Sequence, residues 1–224
     1  MTMELANDKV VRVSVQQGQQ VLARKGAMLY YTGDVRFTPH SMGGGGGFPG
    51  AGAMVGMAGR MMQGEHVALM VAQGQGEVFY GRDGLHVELV QMDGSQVLTV
   101  EASRLLAYEG HLQTSIVPLT SQGGVRGAVR GAMTGQGLFT TQMTGQGTVA
   151  ILSHGGVVPL TVGGYSGEIV IDPQAYVGHL GQITVDLSAS VGFRDVVGRG
   201  SGEATQLKLT GQGTAWVQAS EQKF

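Results

Sequence analysis

With 224 residues, the chain is long enough for one large all-β domain or for several small units around a shared core. Charged residues are only 13%, glycines number 40 and the formal net charge is −2, so nothing in the balance implies a nucleic-acid partner. The absence of cysteine excludes disulfides, thiol catalysis and zinc–thiolate sites, and it fits a reducing cytoplasm.

The first residues, Met1 to Val13, carry Glu4, Asp8, Lys9 and Arg12 and no apolar stretch, so they do not read as a secretory signal. Val10 to Val15 predicts a short strand with Arg12 and Ser14 facing away from Val11, Val13 and Val15. Val21-Leu22-Ala23-Arg24-Lys25-Gly26-Ala27-Met28 predicts a strand, a turn and the start of another strand. Leu105-Leu106-Ala107-Tyr108-Glu109-Gly110-His111-Leu112 and Tyr176-Val177-Gly178-His179-Leu180-Gly181-Gln182-Ile183 resemble it, at intervals of 84 (Val21 to Leu105) and 71 (Leu105 to Tyr176) residues.

A second marker agrees. Gly74-Gln75-Gly76, Gly145-Gln146-Gly147 and Gly211-Gln212-Gly213 each stand between two apolar runs, 71 and 66 residues apart counted from their first glycines. Two glycines around one polar residue permit positive φ on both sides of a tight turn, so Gly74, Gly76, Gly145, Gly147, Gly211 and Gly213 are expected as structural turns. The other reading is a backbone nest for an anion.

Glycine-rich links run from Gly43 to Gly64, Gly123 to Gly137 and Gly198 to Gly202. The stretch Gly43 to Gly52 has too little side chain to bury and is expected to be mobile. Strands are predicted after the links at Val67–Val71, Leu138–Met143 and Ala204–Leu209, then near Glu77–Tyr80, Val149–Leu152 and Thr214–Val217. Further strands are predicted at Val87–Val90, Val97–Val100, Val157–Val162 and Ile169–Ile171. Helix signals are confined to single turns near Leu105 and at Met57 to Met62. Phe37 to Gly59 is an uncharged run but too dilute in apolar residues for a membrane span.

These markers imply an all-β fold, one compact domain over 1–224 with three related units in a pseudo-threefold arrangement. The units approximate 21–104, 105–175 and 176–224. The last is short, and Val10 to Val15 is expected to complete it beside the strands near Leu209 and Trp216, where an edge would otherwise stand open.

Motifs for chemistry are sparse. Gly45, Gly47 and Gly50 match a dinucleotide fingerprint only inside poly-glycine. None of the six histidines is paired at metal-ligand spacing, so no metal and no cofactor is expected. His111 and His179 occupy comparable places in the first marker and read as structural positions. Trp216 reads as half-buried in a strand rather than as a stacking platform. Arg60, Arg126, Arg130 and Arg199 all lie in the links, where they would either line an anion-binding face or be solvated loop charges. Met57, Met61 and Met62 make the first link a soft apolar surface for a partner or for packing. An enzymatic site would have to be assembled from scattered residues such as Asp172, His154 and Glu168.

Gly64-Glu65, a strand, Gly74-Gln75-Gly76-Glu77-Val78 and then Leu105-Leu106-Ala107-Tyr108 resemble the altered-inheritance-of-mitochondria family. So does the closing Gly202-Glu203-Ala204, a strand, then Thr210-Gly211-Gln212-Gly213-Thr214-Ala215-Trp216-Val217. The resemblance covers nearly the whole chain. It implies a fold like the tryptophan RNA-binding attenuation protein, a β-sandwich or double-stranded β-helix unit repeated within one chain. It carries no catalytic residues over, and fungal relatives are linked to the mitochondrial inner membrane and its respiratory complexes. The function expected is a cytoplasmic, non-enzymatic β-scaffold that self-associates as a homo-oligomer and contacts a protein or membrane-associated partner. The alternative is a small-molecule or anion-binding receptor domain.

Overall fold

The computed structural model describes residues 1–40, 68–119, 139–164, 167–189 and 205–221. Their elements are β1 (Thr2–Asn7), β2 (Val10–Val15), β3 (Gln20–Arg24), β4 (Met28–His40), β5 (Leu69–Tyr80), β6 (His86–Asp93), β7 (Leu98–Glu101), a 3-10 turn (Ala102–Arg104), β8 (Leu105–Glu109), β9 (Gln113–Pro118), β10 (Phe139–Thr144), β11 (Gln146–Ser153), β12 (Val157–Val162), β13 (Ile169–Ile171), β14 (Tyr176–Ala189) and β15 (Thr205–Gln218). The all-β expectation holds, and strands β2, β12 and β13 begin and end where the valine and isoleucine runs predict. The helical turn expected near Leu105 lies just before it, since Leu105 itself opens a strand. The glycine-rich links, with the mobility expected of 43–52, fall outside the described residues.

All pairings are antiparallel and sort into two sheets. One runs β1-β2-β5-β3-β8-β11-β6, with β4 also on β5; the other runs β12-β15-β14-β7-β10-β9, with β13 also on β15. The alternation of β2 shows why they form. Val11, Val13 and Val15 are buried while Arg12 and Ser14 are not, and each buried valine contributes roughly 1.5–3 kcal/mol. Arg12 uses its outward position to pair with Glu4 across β1.

Three runs of strands follow similar paths. β2 lies along the end of β5, with Val11 opposite Tyr80; β6 lies along β11, with Val87 opposite Leu152; β12 lies along the end of β15, with Val158 opposite Val217. The short strand β3 then sits between β5 and β8, and β7 sits between β10 and β14. The third short strand, β13, pairs among the described strands only with β15.

Two expectations are corrected by these pairings. Val10 to Val15 does not complete the C-terminal strands, because β12 already occupies that edge of Thr214–Val217 while β2 pairs with β1 and β5. The apolar string at Val21 also belongs to a different strand than its relatives. Leu105 and Tyr176 open strands that cross to a return strand, and the strand that does so in the first run is β4, beginning at Met28. The unforeseen β1 covers the outer edge of β2.

The Gly-Gln-Gly strings are not hairpin turns. Gly74 and Gly76 lie inside β5, opposite Val35 and Gly33; Gly211 and Gly213 lie inside β15, opposite Ile183 and Gly181. Gly145 separates β10 from β11, and Gly147 lies within β11. Positive φ occurs at Gly74 (130°), Gly145 (114°), Gly211 (112°) and Gly213 (154°), but Gly76 and Gly147 are not among the positive-φ residues. The stronger constraint is backbone proximity. A Cβ on Gly74 would fall well inside contact distance of the Asp34 carbonyl oxygen, and one on Gly211 would do the same to that of Gln182. At Gly76 and Gly213 the nearest atoms are likewise backbone carbonyl oxygens, of Thr32 and Leu180, and the side chains of Val35 and Ile183 also reach across the hairpin onto them.

Gly74→Ala and Gly211→Ala should each cost about 3 kcal/mol, strain and overpacking together. Gly18 makes the control, since it has φ 83° and nothing within 4 Å of an added Cβ; Gly18→Ala should cost only about 1 kcal/mol. Urea melts of the three variants check the contrast, and equal midpoints would show that the close approach is not what selects glycine.

Candidate functional site

Buried polarity concentrates where the 3-10 turn meets the ends of β11 and β15. Arg104 is 3% exposed, although it ends the turn and carries a charge. Its Nη2 donates to the Gln174 carbonyl at 3.0 Å, its Nη1 donates to Gln218 Oε1, and its Nε is 3.8 Å from Glu101 Oε2. Gln218 Oε1 also accepts from the His154 amide at 3.0 Å, and Gln218 Nε2 donates to the Gln174 carbonyl at 3.2 Å. Glu101 caps the turn by accepting from the Ser103 amide at 3.1 Å and from its hydroxyl. Arg24, from the end of β3, donates to the Ser103 carbonyl. Burial lowers the pKa of both arginines, but a guanidinium keeps its proton at any physiological pH, so these remain fixed cations.

Beside this network the Tyr176 hydroxyl and His179 Nδ1 are 2.7 Å apart, both side chains buried. Burial pushes His179 down to about 4 and raises Tyr176, with Glu101 adding to the latter. At neutral pH the hydroxyl therefore donates to a neutral imidazole whose proton sits on Nε2. Such a pair ties two positions of β14 together across its bulge at Val177; neither member exchanges a proton near pH 7.

An open hollow of about 660 Å³ adjoins the network, lined among others by Asp172, Gln174, Gln218, Ser220 and Glu221. Asp172 Oδ1 accepts from the Gln174 amide at 2.6 Å. The three scattered candidates for an enzymatic site are engaged separately. Asp172 holds this turn, His154 meets Gln218 through its backbone, and Glu168 pairs with Lys208 Nζ. Among the described residues no group of three or more His, Asp or Glu is placed to hold a metal ion. Arg60, Arg126, Arg130, Arg199, Met57, Met61 and Met62 lie outside the described residues. His111 is exposed, with Nε2 2.6 Å from the Gln146 carbonyl, so the two comparable histidines have different surroundings. Trp216 is buried more deeply than expected, at 9% exposure in the central core.

The feature that sequence reasoning missed is apolar and exposed. At the start of β4, Met28, Leu29, Tyr30 and Tyr31 are 40–54% exposed. Tyr30 stacks on Phe79 with ring centroids 4.2 Å apart, and Tyr31 meets Phe37 edge-on at 5.2 Å. The ladder to β5 passes from Met28–Tyr80 to Tyr30–Phe79, so Leu29 is a bulged residue. The matching ladders skip Leu106 between Leu105–Ile151 and Ala107–Ala150, and Val177 between Tyr176–Val217 and Gly178–Trp216. Leu106 and Val177 are wholly buried, Leu29 is not. The alignment of the string at Val21 with that at Leu105 concealed this correspondence.

The family described as mitochondrial biogenesis AIM24 matches residues 3–220. This chain belongs to that family. Its resemblance was carried by the Gly-Gln-Gly strings and the Leu105 run, which the structure makes the bends and opening strands of its hairpins. Protein SPYM3_0169 from Streptococcus pyogenes has a similar structure, with 23% sequence identity, 98% of this chain and 92% of that one covered, and a TM-score of 0.69. At that identity the likeness concerns the fold. A comparison with curated proteins gives no match. No helix among the described residues is long and apolar enough to cross a membrane.

Two predictions follow from the buried polar groups. Arg104→Met leaves Glu101, Gln218 and the Gln174 carbonyl without their cation and should cost about 3–5 kcal/mol in a thermal or urea melt. His179 ties stability to pH: the unfolded imidazole binds its proton near pH 6.5, the folded one only near 4. Its contribution is complete above about pH 6.5 and falls by ~3 kcal/mol as the pH drops to 4, so His179→Gln should flatten the wild-type slope over that window.

Proposed function

We propose that this chain is a non-enzymatic β-scaffold that self-associates and contacts a protein or membrane-associated partner. It is read as three copies of one unit, 10–80, 86–153 and 157–218, in a pseudo-threefold arrangement whose third junction is open within one chain. There are four strands in the first and third copies and six in the second, where β8–β9 and β10–β11 stand for the two long strands; this revises the unit boundaries expected from the sequence. The support for three copies is the threefold recurrence of the pairings β2–β5, β6–β11 and β12–β15 and of the bulges at Leu29, Leu106 and Val177. The observation that carries the scaffold reading is the uncovered apolar start of β4, which departs from the burial of its two counterparts. Of the strongly perturbed groups, His179 and Tyr176 are hydrogen-bonded to each other and Tyr80 is a phenol raised by burial alone, which favours structure over proton transfer. The family's description, mitochondrial biogenesis, fits a component that acts through contacts.

The alternative, a small-ligand receptor, would use the hollow beside Gln174. Asp172 and Glu221 give that hollow the wrong sign for an anion, and it is open rather than enclosing. Sedimentation of the purified chain over a wide concentration range tests the scaffold reading. Mass that rises with concentration is expected, and a monomer at every concentration overturns self-association.

A further inference from the structure

The two internal junctions share one construction. In the first, β3 pairs with β8 with Val21 opposite Glu109, Leu22 opposite Tyr108 and Ala23 opposite Ala107. In the second, β7 pairs with β14 with Leu98 opposite Leu180, Thr99 opposite His179 and Val100 opposite Gly178. A short strand of one unit thus flanks the opening strand of the next. The bulged residue of that opening strand enters the neighbour's core, Leu106 among Val11, Val21 and Ala23, Val177 among Leu98, Val100 and Met143.

Among the described residues a third junction of this kind is missing. Among the described strands β13 has a partner on one side only, and so does β4. Leu29, which corresponds to Leu106 and Val177, is 54% exposed, and Val170 at the centre of β13 is 48% exposed. Both edges are unguarded. Other one-sided strands carry a charge or a proline: Glu4 in β1, Glu88 in β6, Pro118 in β9, Pro159 in β12 and Arg36 with Pro39 in the far half of β4. Met28 to Gly33 and Ile169 to Ile171 have neither. Bare edges of this type are templates for pairing with another strand.

We propose that the free edge of β4, with Leu29 at its head, docks on the free edge of β13 in a second copy of this chain, in the register of the internal junctions. This deepens the scaffold reading and rests on its self-association. The chain carries both halves of the contact, and within one copy they belong to different sheets that are not paired with each other. The internal registers place Ile169 opposite Thr32, Val170 opposite Tyr31 and Ile171 opposite Tyr30. Leu29 then meets the cluster of Val162, Val185, Leu207 and Leu209, against which Ile169 and Ile171 already pack. A reciprocal exchange between two copies satisfies both edges of each, whereas a one-way exchange builds an open array.

The chain has no cysteine, so introduced thiols report cleanly. Tyr31→Cys and Val170→Cys chains, each alone unable to form the opposed pair, are mixed and oxidised mildly. The expected result is a disulfide-linked heterodimer in the mixture that Leu29→Asp, added to the Tyr31→Cys chain, abolishes. Leu29→Asp alone should weaken self-association about tenfold or more with an unchanged melting temperature. A double Tyr31→Cys, Val170→Cys chain that closes on itself as a monomer at high dilution would overturn the second-copy assignment in favour of the chain's own β13. Wild-type oligomers with no cross-link, or oligomers that Leu29→Asp leaves intact, would overturn this docking and spare the scaffold reading. A wild-type monomer at every concentration would remove both.

Discussion

The sharing of one short strand between two larger ones holds this chain together. β3 and β7 are five and four residues long, yet each completes a ladder on both sides, to β5 and β8 in one case and to β10 and β14 in the other. Val21 to Ala23 and Leu98 to Val100 have a ladder on each side, so burial on both faces carries little polar penalty. That is why Val21, Ala23, Leu98 and Val100 can be almost wholly buried while coming from such short segments. The bulges follow from the same geometry. An extra residue bends the opening strand as it leaves the shared strand and turns its own side chain into the neighbouring core.

The glycine pairs are the second consequence. Hairpins as long as β4–β5 and β14–β15 must bend to keep contact with a core at both ends, and they bend where Gly33 faces Gly76 and Gly181 faces Gly213. The sequence made the glycines conspicuous, and they recur for a structural reason, but glycine doublets argue for a turn whenever only local conformation is considered. What distinguishes a bend from a turn is the opposing glycine about forty residues away in one hairpin and about thirty in the other, and no local pattern reports that pairing. The valine-rich strands were legible because their alternation is local. The network of Arg104, Glu101 and Gln218 was not, because its members are brought together from 101 to 218 only by the fold.

Titratable groups in the interior serve the same end. Arg104 is a buried cation that joins the connection before β14 to the tail of β15, and the Tyr176–His179 pair joins two positions three residues apart across a strand that has just bulged. Isolated burial of such groups would be costly, whereas hydrogen bonding to carbonyls and amides from several segments makes each of them specific to one arrangement of those segments. A polar network of this kind fixes how the last strands lie on the second sheet, and therefore where β13 offers its edge.

The asymmetry between the junctions has an energetic meaning. Burying Leu29 as fully as Leu106 is would contribute roughly 1.5–3 kcal/mol, and Tyr30 and Tyr31 would add apolar area on the two faces of the same strand. Set against this is the entropy lost when two chains become one particle, which is on the order of 4–15 kcal/mol. A single β4–β13 contact, with only three residues of β13 to pair, is a small interface and cannot outweigh that loss by much. Two such contacts formed reciprocally lose the same freedom once and gain the apolar burial twice. The proposed docking would therefore favour a closed pair over a chain of single contacts, and would make assembly steep in concentration rather than permanent. A scaffold built as proposed would expose β4 and β13 when dilute and cover them when crowded, which would leave the same edges available to another partner only where copies are few.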